Sequence, residues 1–251
     1  MIVEYFRPKD IAETVELIKS PEIKTVLIGG GTSIDRSSLK PFVVVDLQDV
    51  GLNFLKTLGR TLEIGATITL QALYEDTDIQ PDLKLSIYKE RALNLRQVAT
   101  VAGTLIASDG RSPFTTAMLA LDASMVLEPG EENIALADLL MFRDEKLNSK
   151  LVTRITIPLN AQLAYEYVAR TPADIPLVCA AVARWPSGRT RVILGGTGDA
   201  PVLAMDGPEG GGEENSAASA YSLAGDEWAS AEYRQEMAQL LVKRCLAKLE
   251  K

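Results

Sequence analysis

The sequence predicts a chain that mixes helices and strands and divides into two domains meeting near residues 158–164. Three observations predict it. The first fifty residues alternate strand, helix and strand. The stretch up to Pro158 adds further strands and helices separated by loops of small residues. The remainder carries three strand-like segments and then a long amphipathic helix.

In order along the chain, Ile2 to Phe6 reads as a strand punctuated by Pro8 and Asp10. Asp10 with Glu13 three residues on has the form of a capping box. Ile11, Val15 and Ile18 then recur on one face of a helix expected to end near Ser20-Pro21. Lys24 to Ile28 is a β-branched run, Gly29 to Gly31 interrupt it, and Phe42 to Leu47 is the next strand. Leu62 to Ala66 continues the β pattern and Thr69 to Tyr74 opens a helix. Asp82 to Val98 is helical in pattern, and Thr100 to Gly110 is a loop of small residues. Thr115 to Leu121 is apolar, and Ala123 to Glu128 and Leu151 to Ile157 read as strands.

Beyond Asn160, Ala164 to Ala169, Leu177 to Arg184 and Thr190 to Leu194 are strand-like, with a turn at Pro186-Ser187-Gly188. Asp206 to Ser219, with its Gly-Pro and Gly-Gly-Gly-Glu-Glu runs, reads as a linker or loop. From Ser230 a long helix places Tyr233, Met237, Leu240, Leu241 and Leu249 largely on one face. Lys243, Arg244 and Lys248 complement the negative end of its dipole.

Composition removes several chemistries. The chain has 251 residues, 26 basic and 34 acidic side chains, a net charge of −8, two cysteines and no histidine. Without histidine there is no Ser-His-Asp triad and no HExxH zinc site. Two cysteines cannot hold an iron–sulfur cluster or an all-cysteine zinc. Redox or hydrolytic chemistry therefore falls to an organic cofactor, to carboxylates or to a partner chain. The acidic balance opposes non-specific nucleic-acid binding. Apolar runs such as Phe42 to Val45 fall far short of the ~20 residues of a spanning helix, so no membrane insertion is expected. The start MIVEYFRPKD lacks the pattern of a secretory signal, and the expectation is a cytoplasmic protein with Cys179 and Cys245 as buried thiols.

Two small-residue segments are candidates for holding an anion. Ile28-Gly29-Gly30-Gly31-Thr32-Ser33-Ile34-Asp35 follows a strand directly. Glycines let successive amides converge on an anion, and Thr32 and Ser33 add hydroxyl donors. A tight turn between strands explains the same run equally well. It is not a Rossmann fingerprint, because the third glycine position is Ile34, and no Gly-Lys-Ser/Thr follows to make a Walker loop. No basic cluster flanks these segments in sequence. Thr100-Val101-Ala102-Gly103-Thr104 is the second segment, with hydroxyls at both ends. Together the two could clamp the phosphates of a dinucleotide. Leu194-Gly-Gly-Thr-Gly198 reads as a strand-end turn, and the Gly210–Gly212 run among glutamates is a poor phosphate cradle. Asp46/Asp49, Asp76/Asp78 and Glu131/Glu132 read as solvated loop carboxylates, Tyr165/Tyr167 as core packing, and Trp185 and Trp228 carry no evident role.

The segments IGGGTSID, LEIGATITL, LRQVATVAGTL, RITIP, YVARTPADIPLV, RVILGGTGDAPV and AEYRQEMAQLLVKRCL, in this order, resemble the FAD-binding medium subunit of molybdenum hydroxylases of the carbon monoxide dehydrogenase and xanthine dehydrogenase type. The resemblance runs nearly end to end. It implies an α+β fold: a vanillyl-alcohol-oxidase-type FAD-binding domain over residues 1–160, in subdomains of about 1–50 and 51–160, and a C-terminal domain over 161–251 with a three-stranded antiparallel sheet and helices. It further implies FAD as cofactor and a hetero-oligomer with a molybdopterin-binding large subunit and a small subunit carrying 2Fe–2S clusters. Electrons from those clusters would pass through the flavin to NAD, a quinone or dioxygen. The first pyrophosphate loop falls on Ile28, Gly29, Gly30, Gly31, Thr32 and Ser33, and the second on Thr100, Val101, Ala102, Gly103 and Thr104. Val152 falls near the flavin. No side chain is implied as a catalytic acid or base, and no metal ligand.

The chain departs from the family pattern at several positions. Ala102-Gly103-Thr104 stands for the usual Gly-Gly-Asn, Pro113 for an aspartate that holds the adenosine end, Tyr167 for a basic residue and Lys150 for a glutamate. Asp109, four residues before Pro113, offers a carboxylate for the adenosine end, and the loop Arg143 to Ser149 is short. These departures define the alternative: a non-catalytic scaffold that kept the fold and lost FAD.

Overall fold

The computed structural model describes residues 2–19, 24–34, 41–208 and 211–250. The expected helix end at Ser20-Pro21, Asp35 of the glycine loop, and residues 209–210 of the expected linker lie outside them.

In chain order the elements begin with β1 (Ile2–Phe6), α1 (Ile11–Ile18), β2 (Thr25–Ile28), β3 (Phe42–Asp46), β4 (Leu55–Leu58) and β5 (Thr61–Gly65). Helices α2 (Leu70–Glu75), α3 (Pro81–Glu90), α4 (Leu93–Arg96), α5 (Val101–Ala107) and α6 (Pro113–Ala120) follow. Then come β6 (Ser124–Glu128), β7 (Glu132–Ala135), α7 (Leu136–Met141), α8 (Arg143–Lys146), β8 (Leu151–Pro158) and β9 (Gln162–Val168). The chain finishes with β10 (Val178–Arg184), β11 (Arg189–Gly195), β12 (Val202–Pro208), α9 (Glu213–Ala220) and α10 (Ala231–Leu249).

Two compact units are interleaved along the sequence. The first comprises Met1–Glu75, Leu93–Ala107 and Ser124–Ile157. It holds a parallel sheet of order β1-β3-β2 and a five-stranded sheet of order β4-β5-β8-β6-β7. Asp10 caps α1 by accepting from the Glu13 amide at 2.8 Å, and the Glu13 carboxylate reaches back to the Lys9 amide, also at 2.8 Å. The Asp10–Glu13 signal therefore works as read, with the return bond one residue earlier than in the standard box. Val15 and Ile18 of α1 are buried, as is every residue of the central strand β3. The Tyr5 hydroxyl donates to Asp46, which is buried at the end of β3 and also accepts from the Gln48 amide. That corrects the solvated reading of Asp46. Asp49 does sit in a loop, where it pairs with Arg7 and Lys9.

The second unit comprises Asp76–Ala92, Ser108–Ala123 and Pro158–Lys251. Its antiparallel sheet has the order β12-β11-β10-β9. Alternation along the strands sends Ala164, Val178, Ala180, Val182, Val192 and Leu194 into a core completed by Tyr221 and by Leu241, Val242 and Cys245 of α10. Both cysteines are buried, and burial pushes the Cys179 thiol up to about 11. Helix α6 meets Gly195 of β11, where a Cβ would stand 2.2 Å from the Thr116 hydroxyl. Tyr165 is fully buried and its ring stacks on Tyr167 at 6.0 Å.

Three expectations about local structure are corrected. The sheet of the second unit has a fourth strand, β12, and α9 follows it, where Asp206 to Ser219 reads as a linker. Gly207 and Pro208 stand at the end of an edge strand, the place where a sheet tolerates them. Residues 101–107 form a helix rather than a loop. The Thr100 hydroxyl caps it by accepting from the Gly103 amide at 3.2 Å, and Val101 and Leu105, four residues apart, are buried together on one side. The stretch between β7 and β8 carries the short helices α7 and α8.

Candidate functional site

The first unit contains a cleft of about 950 Å³, within the range of cofactor sites. Ile28, Gly29, Gly30, Gly31, Thr32 and Ser33 line it, and so do Thr100, Ala102, Gly103 and Val152. The two small-residue segments thus converge on one cavity. Val101 and Thr104 are buried in α5 and are not among the lining residues. Asp109 belongs to the second unit, where its carboxylate accepts from the Arg111 amide at 2.8 Å.

The glycines have a packing reason for being glycine. A Cβ at Gly30 would stand 1.7 Å from the Val98 carbonyl oxygen, and one at Gly29 would stand 2.7 Å from Cγ2 of Thr100. A Cβ at Gly103 would stand 2.7 Å from the Thr100 hydroxyl oxygen. Gly31 has φ +64, a conformation that favours glycine. The loop after β2 is therefore pressed backbone to backbone against the segment that enters α5. The run is a tight turn, and it lines a cavity. No acceptor among the described residues takes the amide hydrogens of Gly30, Gly31, Thr32 or Ser33.

The hydroxyls at the second segment are less free than the sequence suggests. Thr104 Oγ1 donates to the Thr100 carbonyl at 2.8 Å, so its proton is committed inside the helix. Thr100 Oγ1 accepts from the Gly103 amide, and its own proton has no acceptor among the described residues. Ala102 adds a methyl to the cleft wall.

Sequence reading missed the charge of this cleft. Lys19, Lys24 and Lys150 line it, and no Asp or Glu is among the described lining residues. The three lysines lie in separate stretches, at the C-cap of α1, before β2 and before β8, so no run of basic residues signals them. A cavity whose described lining residues include three cations, amides without an acceptor among the described residues, and small side chains, in a chain of net charge −8, suits an extended anion such as a diphosphate. The residues present fit a dinucleotide cofactor.

Pro113 is the first residue of α6, where a missing amide proton leaves nothing unsatisfied. Its neighbour Ser112 caps the helix, and the buried Glu90 carboxylate accepts from the Ser112 hydroxyl at 2.7 Å and the Phe114 amide at 3.1 Å. Burial pushes the Glu90 carboxyl above the ordinary carboxylate range, against the pull of those two donors. Lys89 Nζ lies 4.5 Å over the Tyr167 ring, and Arg111 and Arg170 stack on Trp228, which gives that tryptophan a surface role the sequence did not suggest.

The fold and cleft are those of a vanillyl-alcohol-oxidase-type FAD-binding protein of α+β class. Comparison with known proteins agrees: the family described as the FAD binding domain in molybdopterin dehydrogenase matches residues 1–160. The chain belongs to that family. It is 25% identical to the protein YgfM of Escherichia coli K12 over 248 residues, covering 96% of this chain and 94% of that one. It is 23% identical to the glyceraldehyde dehydrogenase medium chain of Sulfolobus acidocaldarius, covering 80% and 78%. Carbon monoxide dehydrogenase from Hydrogenophaga pseudoflava shares the fold with a TM-score of 0.81 at 22% identity, covering 97% of this chain and 96% of that one. No described helix is long and apolar enough to cross a membrane.

Proposed function

We propose that this chain binds FAD in the cleft of its first unit and serves as the electron-transfer subunit of a molybdenum-dependent hydroxylase or dehydrogenase. The observation that carries the reading is the convergence of Gly29–Ser33 with Thr100, Ala102 and Gly103 on one cleft that has no carboxylate among its described lining residues, within a domain whose family is defined by FAD binding. The amides of Gly30 to Ser33 and the Thr100 hydroxyl would hold the diphosphate. Ala66, Leu151 and Val152 supply apolar wall for the ring end of the ligand. Bound flavin supplies the capacity to take up electron pairs and release them singly or together.

The chain's own part is placement and exclusion of water, and no side chain of the cleft is assigned an acid–base role. Electrons would arrive from iron–sulfur clusters of a small partner subunit, reduced in turn by a molybdopterin-binding large subunit. They would leave to an external acceptor. The name of one relative as a medium chain supports assembly with other chains, and the two cysteines of this chain are too few to hold a cluster of its own.

The test is the visible spectrum of the purified chain, followed by melting with and without added FAD. Flavin absorption that co-elutes with the protein, or a melting temperature raised by FAD, is the expected result. A colourless chain whose melting is indifferent to FAD would overturn the reading in favour of a scaffold that kept the fold without the cofactor.

A further inference from the structure

We propose that Lys19, Lys24 and Lys150 form a cationic collar on this cleft that captures the phosphate groups of its ligand, so that charge attraction sets much of the affinity and favours phosphorylated flavins over riboflavin. The proposal rests on the FAD reading above for the ligand's identity and on the cleft alone for its chemistry.

The chain has eight more acidic than basic residues (34 − 26), yet the described residues of this one cavity include three lysines and no carboxylate. The lysines come from three separate stretches, and folding alone brings them to the lining of one cavity. Their present partners are weak competitors for an anion. Lys19 pairs with Glu16 at 2.8 Å, both side chains about half exposed or more. Lys150 lies 3.4 Å from Glu132 and donates to the Pro129 carbonyl at 2.8 Å, and Pro129 lies outside the cavity lining. Neither glutamate lines the cavity. Lys24 has no ion-pair partner among the described residues. A phosphate group entering the cleft exchanges exposed, solvent-screened pairs for contact with a diphosphate that the backbone amides already orient. Lys150, with its side chain 26% exposed, is the least screened of the two paired lysines.

The experiment uses the full chain and three single variants, Lys19→Gln, Lys24→Gln and Lys150→Gln, with the triple variant and Lys24→Arg as controls. The lysines are at least partly exposed, and circular dichroism verifies that each variant is folded. FAD, riboflavin and inorganic pyrophosphate are titrated at low and high salt. Each single neutralisation is expected to weaken FAD binding by roughly three- to fivefold at low salt, with Lys24→Gln the largest and Lys24→Arg near wild type. Riboflavin binding stays unchanged and salt-insensitive. Pyrophosphate raises the melting temperature of the wild type and not of the triple variant.

Glu132→Gln frees Lys150 and is expected to tighten FAD binding. If FAD binds the wild type and the triple variant alike, without salt dependence, the collar is wrong and the FAD reading stands. If pyrophosphate stabilises the wild type through the lysines but no flavin binds, the collar stands and the FAD reading fails. If neither pyrophosphate nor FAD distinguishes the wild type from the triple variant, the collar is overturned.

Discussion

The position a Cβ would take on Gly30 lies 1.7 Å from the carbonyl oxygen of Val98. That one approach joins the loop after β2, which lines the cleft, to the segment entering α5. A methyl group there must drive the two backbones apart.

Gly30→Ala is therefore expected to lower stability by about 3 kcal/mol or more, as overpacking against backbone does at its upper end, and to abolish FAD binding. Gly31→Ala is the informative contrast. Its φ of +64 carries a conformational penalty of about 1 kcal/mol. Its Cβ, however, meets only Ile34 Cδ1, at the ordinary distance of 3.8 Å. Urea unfolding and FAD titration of the two variants should separate: Gly31→Ala folded and flavin-binding, Gly30→Ala neither. Equal behaviour would mean that close approach to Val98 does not shape the site.

Much of this was legible in the sequence. The Asp10–Glu13 cap, the β-branched runs and the ordered set of glycine segments each belong to local pattern, and the structure keeps them. What escaped depends on tertiary context. Val101 to Ala107 looks like a loop because its residues are small, and it is a helix because Thr100 caps it and Leu105 buries. Val202 to Met205 was obscured by the Gly-Pro that follows, which an edge strand accommodates. The lysines of the cleft could not be read at all, since nothing local links Lys19, Lys24 and Lys150. Asp46 looked solvated beside a turn, and only the pairing of β1 with β3 brings Tyr5 to it.

Arg234 of α10 is fully buried and explains why Leu194 to Gly198 is a strand-end turn. Its guanidinium donates to the carbonyls of Leu177 and Gly196, the latter at 2.8 Å, and forks onto Asp226. A Cβ at Gly196, φ +132, would stand 2.2 Å from the Leu177 carbonyl oxygen. Arg234→Met takes the guanidinium from two carbonyls and leaves Asp226 with the Trp228 and Ala229 amides and the Thr197 hydroxyl but no cation, an expected loss of about 3 kcal/mol. Arg234→Lys keeps the charge without the fork and should recover only part of it. Urea midpoints of the two variants check the order, and equal midpoints for Arg234→Met and the wild type would remove the pin.

Glu90 gives a pH dependence with a definite sign. Burial raises its folded value above the ordinary 4.5, despite donation from Ser112 and Phe114. The stabilisation from this group is thus complete below about pH 4.5 and is lost as pH rises through the folded value. Glu90→Gln keeps an oxygen for both donors and cannot ionise. Relative to the wild type, the variant is expected to gain stability as pH rises from acid to neutral. Urea midpoints measured across that range test it, and a difference that does not change with pH would contradict the burial argument.

The most direct test of the central claim is a crystal structure of the chain with FAD. The account predicts diphosphate oxygens within hydrogen-bond distance of the amides of Gly30 to Ser33 and of the Thr100 hydroxyl, with Lys24 turned toward them. FAD bound elsewhere, or that cleft closed by its own side chains in the presence of saturating FAD, would contradict it.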